Sequence, residues 1–180
     1  MSRIDESLPF HPVRIAVLTV SDTRTPETDR SGDALVERLT AAGHILAARG
    51  IVADDRALIV ERLRAWIADP QVDVILTTGG TGLTGRDVTV EAHREVYEKE
   101  IEAFATVFTI VSMQKIGTSA VQSRATGGVA GGTYLFALPG SPGACRDAWD
   151  EILAFQLDSR HRPCNFVEIM PRLEEHLRRK

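Results

Sequence analysis

The chain has 180 residues, of which 43% are hydrophobic, and a formal net charge of −4. This size and composition are typical of one globular domain, so we expect residues 1–180 to form a single domain with a short flexible N-terminus over about residues 1–11. Proteins that bind nucleic acids by neutralising phosphates usually carry a basic excess, so the acidic balance argues against a nucleic-acid partner.

Short apolar runs alternate with amphipathic stretches in the first half of the chain, which is the pattern of βαβ units. Residues 13–20 form a near-continuous apolar run, which predicts a central strand covered on both faces. A polar loop follows, and then a helix for which Ser31 is the predicted cap. Residues 45–52 predict the second strand, and Asp55 is placed to cap the helix after it.

The second half of the chain continues this order and adds a hairpin. A third strand over residues 72–77 runs directly into a glycine-rich segment over residues 79–85. Two helical stretches follow, and residues 127–138 predict two strands joined at Gly131-Gly132. A turn then leads into a last long helix. We therefore predict an α/β fold, a three-layer α/β/α sandwich with a mostly parallel sheet plus an antiparallel hairpin.

Several classes of protein are excluded by the residue pattern. Two cysteines are too few for a disulfide scaffold, and the five histidines are too far apart to favour a zinc site. No apolar run approaches the roughly 20 residues of a transmembrane helix. The segment before residue 12 contains Asp5 and Glu6 and lacks the apolar core of a secretory signal. We expect a cytoplasmic protein with no membrane partner.

The segment Thr78-Gly79-Gly80-Thr81-Gly82 follows a buried strand and precedes a helix. Glycines let consecutive amides turn inward, and a helix N-terminus adds about half a positive charge, which together suit a phosphate. Gly80 to Gly85 also fits the dinucleotide pattern G-x-G-x-x-G. That pattern, however, normally follows the first strand and needs an acidic residue at a strand end about 20 residues later. The other alternative to a phosphate-binding loop is a turn in which the glycines serve only the backbone geometry.

Two aspartates are placed to bring a cation to this segment. Asp87 lies five residues after Gly82, where a carboxylate beside a phosphate is unfavourable unless a cation lies between them. Mg²⁺ is commonly held by one or two carboxylates plus substrate phosphates. Asp54 follows the second strand at the same sheet edge. We predict that Asp54 and Asp87 are catalytic and hold Mg²⁺; the alternatives are a helix cap for Asp87 and a solvated turn residue for Asp54.

Three further segments are expected at the same edge of the sheet. Ser21-Asp22 follows the first strand, and Pro139-Gly140-Ser141 forms a second turn before a helix. Ser123-Arg124 supplies a hydroxyl and a fork-shaped cation for an anion. Together with the glycine-rich segment they give the predicted ligand-binding residues: Ser21, Asp22, Thr78, Gly79, Gly80, Thr81, Gly82, Ser123, Arg124, Pro139, Gly140 and Ser141.

These motifs resemble the MoaB/MogA family of molybdenum cofactor biosynthesis. The resemblance rests on Leu76-Thr77-Thr78-Gly79-Gly80-Thr81-Gly82, on Arg86-Asp87-Val88-Thr89 and on Leu138-Pro139-Gly140-Ser141, and it covers nearly the whole chain. The tail Arg162-Pro163-Cys164-Asn165 looks like the bacterial MoaB branch.

The resemblance implies a molybdopterin-binding fold that assembles into homotrimers, or into hexamers in the MoaB branch. It also implies that molybdopterin and ATP are substrates, and that Mg-ATP adenylylates molybdopterin with release of pyrophosphate. Asp54 and Asp87 match the functional aspartates of the family. Two alternatives remain: a non-catalytic molybdopterin-binding accessory or carrier protein, and an assembly role through oligomerisation.

Overall fold

Helices and strands alternate along the chain in the computed structural model, which describes residues 3–178. The strands are β1 (Arg3–Ile4), β2 (Arg14–Val20), β3 (Ile45–Val52), β4 (Val74–Thr78), β5 (Lys99–Glu100), β6 (Thr126–Ala130), β7 (Thr133–Leu138) and β8 (His161–Arg162). The α-helices are α1 (Arg30–Ala41), α2 (Arg56–Ile67), α3 (Thr89–Val96), α4 (Glu102–Ile116), α5 (Pro142–Ala148), α6 (Ala154–Gln156), α7 (Phe166–Ile169) and α8 (Glu175–Arg178). A π-helical segment, Trp149–Leu153, joins α5 to α6, and 3₁₀ segments span Gly117–Gln122 and Met170–Arg172.

None of the helices in this described range is both long and apolar enough to cross a membrane.

Six strands form the main sheet, in the order β3-β2-β4-β7-β6-β5. The first four are parallel neighbours, whereas β6 is antiparallel to β7 and β5 is antiparallel to β6. Gly131 and Gly132 join β6 to β7 with φ angles of 53° and 76°. Two consecutive positive φ angles are what a two-residue hairpin turn needs. The predicted combination of a mostly parallel sheet and an antiparallel hairpin is confirmed.

The core lies on both faces of this sheet because side chains alternate along each strand. On β2, Ile15 and Val17 join a buried cluster that includes residues of α1, α4 and α5. Ala16 and Leu18 join a second cluster that includes residues of α2 and α3. A strand covered on both faces must be apolar throughout, which explains the unbroken run in the sequence. The three-layer α/β/α sandwich predicted from the sequence is therefore confirmed.

Helix α1 begins at a different residue from the predicted one. Asp29, not Ser31, is the N-cap, and its carboxylate accepts a hydrogen bond from the Gly32 amide at 2.9 Å. The same buried carboxylate also binds Thr19 and Arg49, so tertiary contacts fix the helix start. Asp55 caps α2 as predicted.

The N-terminal segment for which the sequence predicts flexibility, residues 1–11, begins outside the described residues. Its described part contacts the C-terminal region of the chain. Strand β1 pairs antiparallel with β8. The Ser159 hydroxyl accepts a hydrogen bond from the His11 amide at 2.9 Å and donates one to the Pro9 carbonyl at 3.0 Å. These bonds attach the described N-terminal residues to the loop that precedes β8.

Candidate functional site

Most of the predicted site residues follow the carboxyl ends of four parallel strands, whereas Ser123 and Arg124 precede β6. Ser21 and Asp22 come after β2, and Asp54 comes after β3. The glycine loop (residues 79–85) follows β4, and the turn formed by residues 139–141 follows β7. Because parallel strands end at the same edge of a sheet, the fold gathers these segments at one edge, which is where α/β proteins bind ligands.

The first two glycines of the glycine loop have backbones that other residues rarely adopt. Gly79 has a φ of +100°, and a Cβ added there would overlap the carbonyl oxygen of Val20. Gly80 has a φ of +62°, and a Cβ there would lie 2.5 Å from the Thr89 hydroxyl and 2.8 Å from a carboxylate oxygen of Asp54. The glycine loop therefore lies directly against the end of β2 and against Asp54.

Thr89 fixes the carbonyl groups of this loop. Its hydroxyl donates to the Gly79 carbonyl at 2.8 Å, and its amide donates to the Gly80 carbonyl at 2.9 Å. The Gly79 amide donates to the Leu138 carbonyl at 3.1 Å. Within residues 3–178, the amides of Gly80 and Thr81 donate to no other group. These two amides are therefore available to a phosphate oxygen.

Three carboxylates surround the glycine loop. The Asp22 amide donates to Asp54 Oδ2 at 2.9 Å, and the Asp54 amide donates to Asp22 Oδ1 at 3.1 Å. Asp87 lies beside the loop, since a Cβ added at Gly82 would be 2.8 Å from its Oδ2. Burial raises the pKa of Asp54, and repulsion from the carboxylates of Asp22 and Asp87 raises it further. The sequence-predicted pair, Asp54 and Asp87, thus lies around one loop.

Asp87 stabilises the glycine loop from within. Its Oδ2 accepts hydrogen bonds from the Thr84 amide at 2.8 Å and from the Thr84 hydroxyl at 2.7 Å. The Thr84 hydroxyl is the main cause that holds the pKa of Asp87 below its usual range. Helix α3 has Val88 as its N-cap and no side-chain cap. The alternative role of Asp87 as a helix cap is therefore wrong, because no side chain caps α3 and Asp87 Oδ2 accepts from Thr84 in the loop instead.

The carboxylates fit a divalent cation that is shared with a phosphate substrate. Over the described part of the chain, no three His, Cys, Asp or Glu side chains are grouped as a complete metal site would need. Asp54 and Asp87 are hard oxygen donors close to the two available amides. Mg²⁺ commonly takes only one or two protein carboxylates and completes its coordination with phosphate oxygens and water. The donor set therefore fits Mg²⁺ that enters together with the substrate.

The second turn packs against the glycine loop. The buried Thr78 hydroxyl donates to the Pro139 carbonyl at 3.0 Å, so this side chain links the two loops. A Cβ added at Gly140 would lie 3.1 Å from the first glycine of the glycine loop. Ser141 caps α5, and its hydroxyl oxygen accepts from an amide of that helix at 3.1 Å. The hydroxyl hydrogen of Ser141 stays available to a ligand.

Among the remaining predicted ligand residues, the side chains of Ser21 and Arg124 are engaged within the chain. The Ser21 hydroxyl oxygen accepts from two amides of its own turn, at 3.2 Å each. Ser123 is half-buried next to Arg124. Arg124 donates to the Gly82 carbonyl at 3.0 Å and forms an ion pair with Glu91. Arg124 therefore holds the glycine loop in position.

A histidine lies beneath the glycine loop, but it is not a basic group. His93 Nε2 is 2.9 Å from the Thr77 hydroxyl, and its Nδ1 is 3.2 Å from the Tyr97 hydroxyl. Complete burial lowers the pKa of His93 to about 3. This side chain is neutral at physiological pH and packs under the site as a hydrogen-bonded core residue.

Two residues that shape the site were missed by sequence reasoning. Thr89 holds the loop carbonyls, and Arg86 donates to Asp22 Oδ2 from Nε at 3.1 Å and from Nη2 at 2.6 Å. Both belong to the run Arg86-Asp87-Val88-Thr89, in which only the aspartate was assigned a role. The signals that could have identified them were the positive charge of Arg86 and the hydroxyl of Thr89, both close in sequence to a predicted phosphate-binding loop.

This arrangement, a glycine loop with available amides and carboxylates at the strand ends, is typical of α/β proteins that bind phosphate-bearing ligands. The family model described as "Probable molybdopterin binding domain" matches residues 16–159. Molybdenum cofactor biosynthesis protein B of Escherichia coli (strain K12) is 49% identical over 160 residues, which cover 89% of this chain and 94% of that protein.

Solved structures agree with this match. A crystal structure of a molybdenum cofactor biosynthesis protein B is similar with a TM-score of 0.83 and 41% identity, covering 92% of this chain and 98% of that one. The molybdopterin biosynthesis enzyme MoaB from Thermus thermophilus gives a TM-score of 0.71 at 36% identity, covering 78% of this chain and 89% of that one. The chain belongs to the MoaB/MogA family of molybdenum cofactor biosynthesis proteins. The family predicted from the sequence motifs is confirmed.

Proposed function

We propose that this protein is a cytoplasmic adenylyltransferase that joins the AMP group of Mg-ATP to molybdopterin and releases pyrophosphate. The observation that supports this is the position of two available amides, those of Gly80 and Thr81, beside the carboxylates of Asp54 and Asp87. Amide donors suit a phosphate group, and carboxylates suit the cation that ATP carries. A site with both suits a reaction between two phosphate-bearing substrates.

In the proposed reaction, an oxygen of the terminal phosphate of molybdopterin attacks the α-phosphorus of ATP. A phosphorus–oxygen bond forms there, and the bond from the α-phosphorus to the oxygen that bridges to the β-phosphate breaks. Pyrophosphate leaves with that electron pair. Both substrates are anions, so positioning and charge compensation provide the catalysis, and no covalent intermediate with a side chain is needed.

The residues of the chain divide this work. The amides of Gly80 and Thr81 donate to one phosphate group and hold it in place. Asp54 and Asp87 would hold Mg²⁺, and this ion, when bound, offsets negative charge on the phosphate oxygens. The hydroxyl of Ser141 orients the other substrate. No histidine base is required, because a phosphate monoester is largely ionised at pH 7.

A single-turnover incubation of the purified protein with molybdopterin, ATP and Mg²⁺ tests this proposal. We expect pyrophosphate in an amount equal to the bound molybdopterin, and AMP attached to the pterin phosphate. α,β-methylene ATP, which cannot release pyrophosphate, is the matched control. Molybdopterin that binds without pyrophosphate release would contradict the proposal and support the non-catalytic accessory or carrier protein.

We also propose that the protein assembles into a homo-oligomer, a trimer or a hexamer. Helix α4 buries Phe104 and Phe108, yet it exposes large apolar side chains on its other sides, between 42% and 54% accessible: Val107, Ile110, Met113 and Ile116. A helix that is apolar on all sides is normally covered on all sides, and a second copy of the chain would cover this one. The mass of the purified protein by light scattering tests this, and a monomer would contradict it.

A further inference from the structure

Two arginines lie beside the glycine loop, and their surroundings differ. Arg124 is held between the Gly82 carbonyl and Glu91, so its charge is already used within the chain. The Arg86 side chain is 64% exposed and forms its ion pair with Asp22. Nε and Nη2 of Arg86 both donate to a single oxygen, Asp22 Oδ2. Its third nitrogen, Nη1, donates to no residue in the range 3–178.

The charge around the loop explains why an exposed arginine is needed there. A polyphosphate that reaches the glycine loop meets three carboxylates, those of Asp22, Asp54 and Asp87. The carboxylates and the phosphates are all negatively charged and repel each other. One divalent cation does not neutralise three carboxylates together with a triphosphate. The positions after Gly85 are Arg86 and Asp87, so the phosphate-binding lysine of a P-loop is missing. A second source of positive charge must therefore come from another residue.

The contact between Arg86 and Asp22 can be exchanged at little cost. An ion pair between exposed side chains contributes little to stability, because water screens it. The guanidinium group presents a planar fork of donors that matches two oxygens of one phosphate. In the contact with Asp22 this fork meets one oxygen only. A phosphate group therefore offers Arg86 a better partner than Asp22 does.

We propose that Arg86 exchanges partners during the reaction: it holds Asp22 until the nucleotide arrives and then binds a phosphate group of that nucleotide. Arg86 is thus a further substrate-contacting residue. The exchange also releases the carboxylate of Asp22, which lies beside Asp54, one of the two residues that would hold Mg²⁺. This inference rests on the proposed function, because ATP is the polyphosphate that it names.

Binding of α,β-methylene ATP with Mg²⁺, measured by titration calorimetry, tests the exchange without any turnover. We expect Arg86→Gln to weaken binding by about tenfold or more, and Arg86→Lys to weaken it less, because lysine keeps the charge but not the fork. Arg56→Gln is the matched control: Arg56 is an exposed arginine paired with Glu95 on α3, and its loss should leave binding unchanged. Equal binding by Arg86→Gln and the wild type would overturn the proposal.

A double-mutant cycle separates substrate contact from simple support of Asp22. If Arg86 only neutralises Asp22, Arg86→Gln has no effect on analogue binding once Asp22→Asn is present. If Arg86 binds the phosphate, Arg86→Gln still weakens binding in the Asp22→Asn background, and this is the result that we expect. If Arg86→Gln does not change analogue binding in the Asp22→Asn background, the exchange is overturned.

These results are independent of the test of the proposed function. Wild-type protein that binds the analogue, loses that binding in Arg86→Gln and forms no pyrophosphate from ATP would refute the adenylyl transfer and keep the exchange. Wild-type protein that forms pyrophosphate, with Arg86→Gln equal to it in analogue binding, would refute the exchange and keep the transfer. Wild-type protein that neither binds the analogue nor forms pyrophosphate from ATP would refute both.

Discussion

Asp87→Asn is expected to lower the single-turnover rate of adenylyl transfer by at least about a hundredfold while the glycine loop keeps its shape. The two hydrogen bonds that Asp87 accepts from the amide and the hydroxyl of Thr84 end on one carboxylate oxygen, and the Gly82 amide also donates to this carboxylate. The carbonyl oxygen of asparagine can accept the same two bonds. The substitution therefore removes the negative charge and keeps both hydrogen bonds from Thr84. Pyrophosphate release and the free energy of unfolding are the two measurements.

Thr84→Ala is the matched control for this prediction. It removes one hydrogen bond to Asp87 but keeps the charge, so we expect a loss of about 1 kcal/mol in the free energy of unfolding and only a small loss of rate. Asp87→Asn should show the opposite pattern, with near-normal stability and almost no transfer. A wild-type rate for Asp87→Asn would exclude this carboxylate from the reaction.

The architecture could be predicted from the sequence because it depends on local periodicity. Strand β2 is apolar at every position from Ile15 to Leu18, as expected of a short strand in the middle of a sheet covered on both faces. The pair Gly131-Gly132 specified the hairpin, since both residues have positive φ. Once the strands are parallel, the residues after them must meet at one edge. The location of the candidate site thus follows from the fold.

Individual hydrogen bonds at that edge could not be predicted in the same way. Sequence alone permits Asp87 to cap a helix or to bind a loop, and Ser31 or Asp29 to cap α1. Asp29 is the cap because its carboxylate is also held by Thr19 and Arg49. Such choices depend on partners that are distant in sequence.

The structure also divides the predicted ligand contacts into two groups. The hydroxyls of Thr78 and Ser21 and the guanidinium of Arg124 already bind groups of the chain itself. The amides of Gly80 and Thr81 remain available. The first group supports the loops around the candidate site and the second is available to a ligand, and a pattern of residue types does not distinguish the two. Of the two arginines beside the loop, Arg124 belongs to the first group, whereas Arg86 has a nitrogen, Nη1, that donates to no residue in the range 3–178.

Gly79→Ala is expected to destabilise the fold and to abolish transfer, because this glycine has no room for a side chain. Its φ of +100° is rarely adopted by alanine, and the added Cβ would overlap the Val20 carbonyl oxygen, which belongs to a central strand and cannot move aside. We expect a loss of about 3 kcal/mol or more in the free energy of unfolding, measured by urea denaturation.

Gly85→Ala provides the control for this last prediction within the same loop. A Cβ added at Gly85 has no neighbour within 4 Å, so the substitution should change the free energy of unfolding by less than about 1 kcal/mol and leave transfer intact. The contrast between the two glycines separates the close contact at Gly79 from the flexibility that any glycine gives a loop. Equal stability of the two variants would mean that the contact between the glycine loop and the end of β2 does not hold the site together.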